Sequence, residues 1–319
     1  MRAIPLLSLL LGGWFVVPAH ADEAQDWLTR LGQAEQQQSF QGTFVYERNG
    51  SFSTHNIWHR VQDGKVRERL LQLDGSAQEV VRVDGRTQCV SGSLIAGLGD
   101  SSSSAARALD PQKLKNWYDL AVIGKSRVAG RPAVIVSLTP RDQHRYGFEL
   151  HLDKETGLPL KSLLLSDKGQ LLERFQFTRL DTADVPSESD LQPGNDCKTV
   201  SLENDKPSAT KVAQVWHSDW LPPGFELTSS SARKDPETKT QVSSLMYDDG
   251  LARFSVFLEP LGGETGLDVR TQLGPTVAVS RRLTTPQGEM MVTVVGEIPI
   301  GTAERIALSM RTDAAATKQ

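Results

Sequence analysis

Side chains able to break bonds or hold a metal are few in this sequence and poorly placed for either task. The chain has six histidines. His20 falls within an N-terminal leader, and the others are His55, His59, His144, His151 and His217. His55 and His59 share one face of a strand pattern, but four strand residues separate them by about 13 Å along the chain. A metal binds imidazole nitrogen at about 2 Å, so one ion cannot take both. His144 and His151 flank and sit within another strand pattern on its solvent side, and read as surface or hairpin histidines. The run Ser101 to Ser104 could hide a nucleophile. No base or orienting acid is implied beside it, and a moving loop is the plainer reading. Gly-x-Ser-x-Gly, His-Glu-x-x-His, phosphate-loop and calcium-loop motifs are all missing. The residues point to a protein that binds rather than catalyses, with no metal and no cofactor.

Candidate binding residues are easier to find. Phe44, Tyr46, Trp58, Phe148, Phe175 and Phe177 fall on strand faces of the N-terminal half. They are either ordinary core or the lining of an apolar ligand cavity. Burying an acyl chain contributes about 0.8 kcal/mol per methylene, so a 12-carbon chain offers roughly 10 kcal/mol before the losses of binding. That leaves room for lipid affinity without polar recognition. In the C-terminal half, Trp220-Leu221-Pro222-Pro223-Gly224-Phe225 is a stiff turn flanked by aromatics. Trp220 and Phe225 either meet a partner or clamp the domain entry to its own sheet. Arg253, Arg281 and Arg282 could form a basic strip for an acidic peptide, or a solvated strand surface. Cys89 and Cys197 are the two cysteines. An even pair in an oxidising compartment suggests a disulfide; two unpaired thiols is the alternative, because spacing cannot place two Cα atoms within the roughly 7 Å a bridge needs.

The elements that must position these residues can be read from periodicity. Arg2, an apolar run from Ile4 to Val17 and Pro18-Ala19-His20-Ala21 have the layout of a secretory signal peptide with an Ala-x-Ala cut. The apolar run is too short for the roughly 20 residues of a spanning helix, although a retained anchor is the other reading. Formal net charge is −4, and −5 once Arg2 leaves with the leader. That balance offers no basic footprint for nucleic acid. Trp27, Leu28, Leu31 and Ala34 recur at helical spacing. From Phe40 the period becomes two, with Asn49-Gly50, Asp74-Gly75, Asp84-Gly85, Ala129-Gly130 and Lys168-Gly169 as turns. Asp110-Pro111 reads as an N-cap opening a short helix.

Nine or ten antiparallel strands result, and a twisted sheet that long tends to curl. The first domain is expected to be a curved sheet or open barrel packed by one or two helices. Composition then shifts to a linker rich in proline, serine and glycine. A second, α+β domain follows, with strands at Val242 to Tyr247, Leu251 to Leu258, Thr276 to Leu283 and Met290 to Val295, and a closing helix capped by Thr302. The divisions are 1–21 for the leader, 22–185 and 213–312 for the domains, 186–212 for the linker and 313–319 for a loose tail. The fold class is mainly β, α+β.

Three stretches carry a family likeness: Phe40-Gln41-Gly42-Thr43-Phe44-Val45-Tyr46, the Trp220 to Phe225 turn, and Asp249-Gly250-Leu251-Ala252-Arg253-Phe254-Ser255-Val256-Phe257. Together they resemble the RseB/MucB family, closest to its pseudomonad branch, and the likeness runs from the leader to the final helix. The resemblance implies a periplasmic negative regulator of an extracytoplasmic-function sigma factor. It implies a first domain like the half-barrels of LolA and LolB that senses lipid, and a second domain that binds the partner. That partner would be the periplasmic part of a membrane anti-sigma factor of the RseA/MucA kind, shielded from the site-1 protease. Lipopolysaccharide or another acyl lipid would release it, with envelope-stress and alginate transcription as the output. A homo-oligomer is a further expectation. No contact residue is carried over from the family. The competing reading is a periplasmic carrier of lipid or lipoprotein without a regulatory partner, for which the extra C-terminal domain has no use.

Overall fold

The computed structural model describes residues 19–76, 78–91, 109–200, 216–234, 240–263, 266–286 and 288–312. The Ser101–Ser104 run, the tail, most of the leader and the linker from 201 onward lie outside the described residues. The chain opens with helix α1 (Ala19–Gln37), then strands β1 (Phe40–Arg48), β2 (Ser51–Gln62), β3 (Lys65–Gln72), β4 (Glu79–Val83) and β5 (Arg86–Val90). Helix α2 (Pro111–Leu114) precedes β6 (Tyr118–Val128), β7 (Arg131–Pro140), β8 (Gly147–Asp153), β9 (Pro159–Leu165), β10 (Leu171–Asp181) and β11 (Lys198–Thr199). These eleven strands form one open antiparallel sheet in the order β11-β5-β4-β3-β2-β1-β10-β9-β8-β7-β6. The order is that of consecutive hairpins joined where β10 returns beside β1. The Asn49–Gly50 turn has φ of 53° and 73°, the left-handed pair that a two-residue hairpin needs and that glycine tolerates best. Asp110 caps α2 by accepting from the backbone N–H groups of Gln112 and Lys113.

Alternation decides which side chains face inward. Leu120, Val134, Val136, Leu138, Leu150 and Leu152 are buried beneath Ala24, Leu28 and Leu31 of α1. Further along the same inner face, Phe40, Phe44, Leu160, Phe177 and Leu180 form a second cluster with Ala34. Tyr46, Ile57, Leu70 and Phe175 border that cluster and stay half-buried.

The stretch whose composition reads as linker turns back over the outer face as far as Thr199. Leu191 is buried there. Glu79 accepts from the Gly194 N–H and from Arg69. Cys197 is bonded to Cys89, with Cα atoms 5.5 Å apart. Proline and serine content therefore marks a strap and not a free spacer.

The second domain has β12 (Trp216–Ser218), β13 (Glu226–Lys234), β14 (Gln241–Asp248), β15 (Arg253–Pro260), β16 (Val269–Leu273), β17 (Thr276–Thr285), β18 (Gly288–Gly296), helix α3 (Ile300–Ser309) and β19 (Met310–Thr312). Its main sheet runs β13-β14-β15-β18-β17-β16, and β12 pairs with β19. Val256, Leu258, Val277, Val279, Val292 and Val294 are buried under Ala303, Ile306 and Ala307 of α3. The expected helix is present, but Thr302 does not cap it. Pro299 stands before the first turn and accepts from the Thr302 N–H, while the Thr302 hydroxyl reaches His144 of the other domain at 3.1 Å.

Candidate functional site

The inner face of the large sheet gathers most of the aromatic candidates. Phe44 of β1 lies opposite Phe177 of β10, and Tyr46 opposite Phe175. Ring centroids of Phe44 lie 4.6 Å from Phe175 and 5.9 Å from Phe177. Phe44 also stacks on His55 at 5.1 Å, and Phe40 on His59 at 4.7 Å. The Tyr46 hydroxyl donates to Glu173 at 2.6 Å, and burial followed by that bond raises its pKa well above the tyrosine range. Phe148 shares the face but sits at its other end, against the cluster under α1, beside a cleft of about 600 Å³ at the β7–β8 end.

Trp58 leaves this set. It lies opposite Gln41 and Arg69, one residue out of phase with Ile57, so it points to the outer face. There the Arg69 guanidinium lies 5.1 Å from its ring centroid. Two adjacent apolar residues, Ile57 and Trp58, left the phase of that strand ambiguous.

His55, His59, His144 and His151 each bond within the fold. His59 is buried between Glu68 at 3.3 Å and the Glu35 carbonyl at 2.9 Å. His151 is on the outer face as expected but only 5% exposed, because Ser126 and Glu149 bond its two nitrogens at 2.7 and 2.8 Å. Burial lowers its pKa. His55 has the same direction of shift from the same cause, and its buried Nδ1 has no partner. Among the described residues no cluster of three or more His, Cys, Asp or Glu could hold a metal. Among them, too, no helix is long and apolar enough to cross a membrane.

The C-terminal candidates do not make a common surface. Phe225 is buried, 5.1 Å from the Phe254 ring. Trp220 is half-buried between the His144 edge at 5.0 Å and the Arg305 guanidinium at 3.8 Å. Arg253 pairs with Asp248 at 2.8 Å, and Arg281 with Glu304. Arg253 lies beside the row of Phe254, Gly296 and Val277, whereas Arg281 shares a row with Val292 and Leu258. That places them about 17 Å apart along the strands. Arg281 and Arg282 are adjacent on β17 and so point to opposite faces. The three arginines form no strip.

What the molecule does build is a polar seam between its two sheets. Arg145, in the β7–β8 loop, has a side chain 0% exposed. It donates to both oxygens of Asp142, at 3.1 and 2.8 Å, to Asp249 at 2.5 Å and to the Pro223 carbonyl at 2.6 Å. Its guanidinium also lies over Phe225, Tyr118 and Trp117 at 5.1, 5.6 and 5.7 Å. The Tyr118 hydroxyl donates to Asp249 at 3.2 Å, and Tyr146 to the Ile298 carbonyl at 3.1 Å. Burial first, then Asp167 and Glu297, push Tyr146 up to about 12. Lys113 and Glu226 lie at one end of the seam, Arg48 with Thr276 and Glu297 at the other. At Gly224, with φ +85°, an added Cβ would come within 2.2 Å of the Trp117 ring. The turn between Trp220 and Phe225 thus clamps one domain to the other. Spacing gave no sign of Arg145 or Tyr118, whose partner Asp249 is more than a hundred positions away.

Models of the MucB/RseB N-terminal and C-terminal domains match residues 23–195 and 210–311. The chain belongs to the MucB/RseB family. It is 63% identical over 320 residues, the whole of both chains, to the sigma factor AlgU regulatory protein MucB of Pseudomonas aeruginosa. A solved complex of P. aeruginosa MucA and MucB superposes with TM-score 0.82 at 63% identity, covering 92% of this chain and 100% of that one. A crystal structure of MucB superposes with TM-score 0.69 at 60% identity, covering 92% and 98%. Membership of this family accounts for the two-sheet architecture.

Proposed function

We propose that this chain is a periplasmic sigma-factor regulatory protein that binds the periplasmic segment of a MucA-like anti-sigma factor. The observation that carries this is the full-length 63% identity to MucB, together with the fit to MucB in its complex with MucA. Binding shields the segment from the protease that makes the first cut, so the sigma factor stays restrained. Acyl lipid, lipopolysaccharide included, loads on the inner face near Phe44, Tyr46, Phe175 and the half-buried Ile57 and Leu70, and its binding releases the partner. On this reading residues 22–185 sense lipid, residues 213–312 contribute to partner binding, and the protein is not an enzyme.

Calorimetric titration of residues 22–319 with the periplasmic segment of P. aeruginosa MucA tests the first step. Saturable binding that weakens when lipopolysaccharide is added is the expected result. Lipid binding with no uptake of the segment would replace the regulator by a lipid carrier.

A further inference from the structure

Beside the packing of Leu251 on the first domain's core and of Gly224 on Trp117, the seam between the domains encloses a buried ion pair. Asp142, on the same loop as Arg145, accepts from its Nε and Nη2. Asp249 accepts on Oδ1 from the N–H groups of Leu251 and Ala252, at 2.8 and 2.7 Å, within its own turn. Each charge therefore keeps partners in its own domain when the domains part. Of the contacts these two charges make across the seam, Arg145 to Asp249 and to Pro223 and Tyr118 to Asp249 are exchanged for water.

A buried ion pair gains little net free energy, because desolvation offsets most of its attraction. Burial in fact pushes the Asp249 carboxyl up from its ordinary value even with two backbone N–H groups and the guanidinium beside it. An apolar patch would hold the same seam shut more firmly. Retained partners on both sides and a small net gain are what a contact needs in order to open and close. This chain superposes on MucB in the MucA complex with TM-score 0.82 and on MucB alone with 0.69, over the same 92% of its length.

We propose that Arg145 and Asp249 are a reversible latch between the domains, and that the closed form is the one that takes the anti-sigma segment. The proposal rests on the partner reading above. Apparent affinity scales with the fraction of molecules in the binding-competent form, so a variant that opens the latch loses affinity without losing a residue that touches the partner. Arg145 and Asp249 are then positioning residues.

The test uses residues 22–319 carrying Arg145→Met, Asp249→Asn, or both. Asp249→Asn keeps the oxygen that holds Leu251 and Ala252 and turns the Oδ2 that accepts from Arg145 and Tyr118 into a donor, so it serves if Arg145→Met fails to fold. Small-angle X-ray scattering reads domain separation, and calorimetry reads affinity for the MucA periplasmic segment. Each single variant is expected to expand and to bind about ten-fold or more weakly. The double variant should be no worse than the weaker single, since the bond between Arg145 and Asp249 is lost in both singles. Variants that expand yet bind like the wild type overturn the latch, as do variants that stay compact. A wild type that does not bind the segment sinks the partner reading instead, and scattering on the same samples still shows whether the pair holds the domains together.

Discussion

Arg145 and Asp249 meet at 2.5 Å with both side chains fully buried, one contributed by each domain. The pair at the rim of the same seam, Lys113 with Glu226 at 2.8 Å, is 31% and 69% exposed. Solvent screens an exposed pair and entropy opposes fixing two long side chains, so it contributes little. Lys113→Ala should change unfolding free energy by less than about 0.5 kcal/mol in urea titration. A loss several times larger would mean that the seam is held at its rim.

The disulfide between Cys89 and Cys197 closes a loop of 108 residues. It fastens the strap to β5, beside the Lys198–Thr199 pairing with Cys89 and Val90. Cross-links that close long loops restrict the unfolded chain most, on a chain-entropy account. Replacing both cysteines by serine should lower unfolding free energy by roughly 2–4 kcal/mol, measured by urea denaturation. Reductant should reproduce the loss in the wild type and leave the variant unchanged.

On the inner face, Phe175 is half-buried and Trp58 lies on the opposite side of the sheet. A charge set among apolar side chains opposes the entry of an acyl chain. Phe175→Glu is expected to weaken binding of lauroyl or lipopolysaccharide probes about ten-fold, while Trp58→Ala leaves it within two-fold or so. Fluorescence displacement of a bound acyl dye reads both. Equal losses from the two substitutions would remove the inner face as the lipid site.

How much of this was legible in the sequence depended on whether a residue's partner was near it in the chain. The alternation of Phe40, Phe44 and Tyr46, the Asn49–Gly50 turn and the Asp110 cap are local signals, and each appears in the fold. β13 and β16 escape an alternation rule because they are the edges of the second sheet: β16 is exposed at every position, and β13 is nearly all polar. Thr302 is a good cap by type, but its hydroxyl is taken by His144. The seam was invisible for the same reason. Arg145 follows Arg141, Asp142 and His144 in a charged loop that looks solvated until Asp249 and Pro223 arrive from the other domain.

Gly224 tests the closeness of that seam without touching a charge. Its φ of +85° disfavours any side chain, and an added Cβ would lie 2.2 Å from Trp117. Gly224→Ala should cost about 1–3 kcal/mol and shift tryptophan emission to the red as Trp117 meets water. An unshifted spectrum with full stability would show that the turn and Trp117 do not meet in solution.

The buried His151 and the half-buried His55 and His144 set a pH dependence whose sign follows from the direction of their shifts. Burial lowers His55, His144 and His151 from the ordinary histidine value; at His144 Asp142 opposes this, and Arg305 and Arg145 add to it. Between each lowered value and the unperturbed value near 6.5, the unfolded chain holds more protons than the folded one. Stability therefore rises with pH across that window, is fully present above it and is lost as pH falls through it. The histidines' share should make the urea midpoint lower at pH 5.5 than at pH 7.5, against the opposite contribution of Asp249, Glu35 and Glu297, whose carboxyls burial raises. His151→Gln removes one of the three titrating groups and should flatten the slope, since glutamine can still meet Ser126 and Glu149 without taking up a proton. A slope untouched by His151→Gln would show that this ring is not held neutral by the fold.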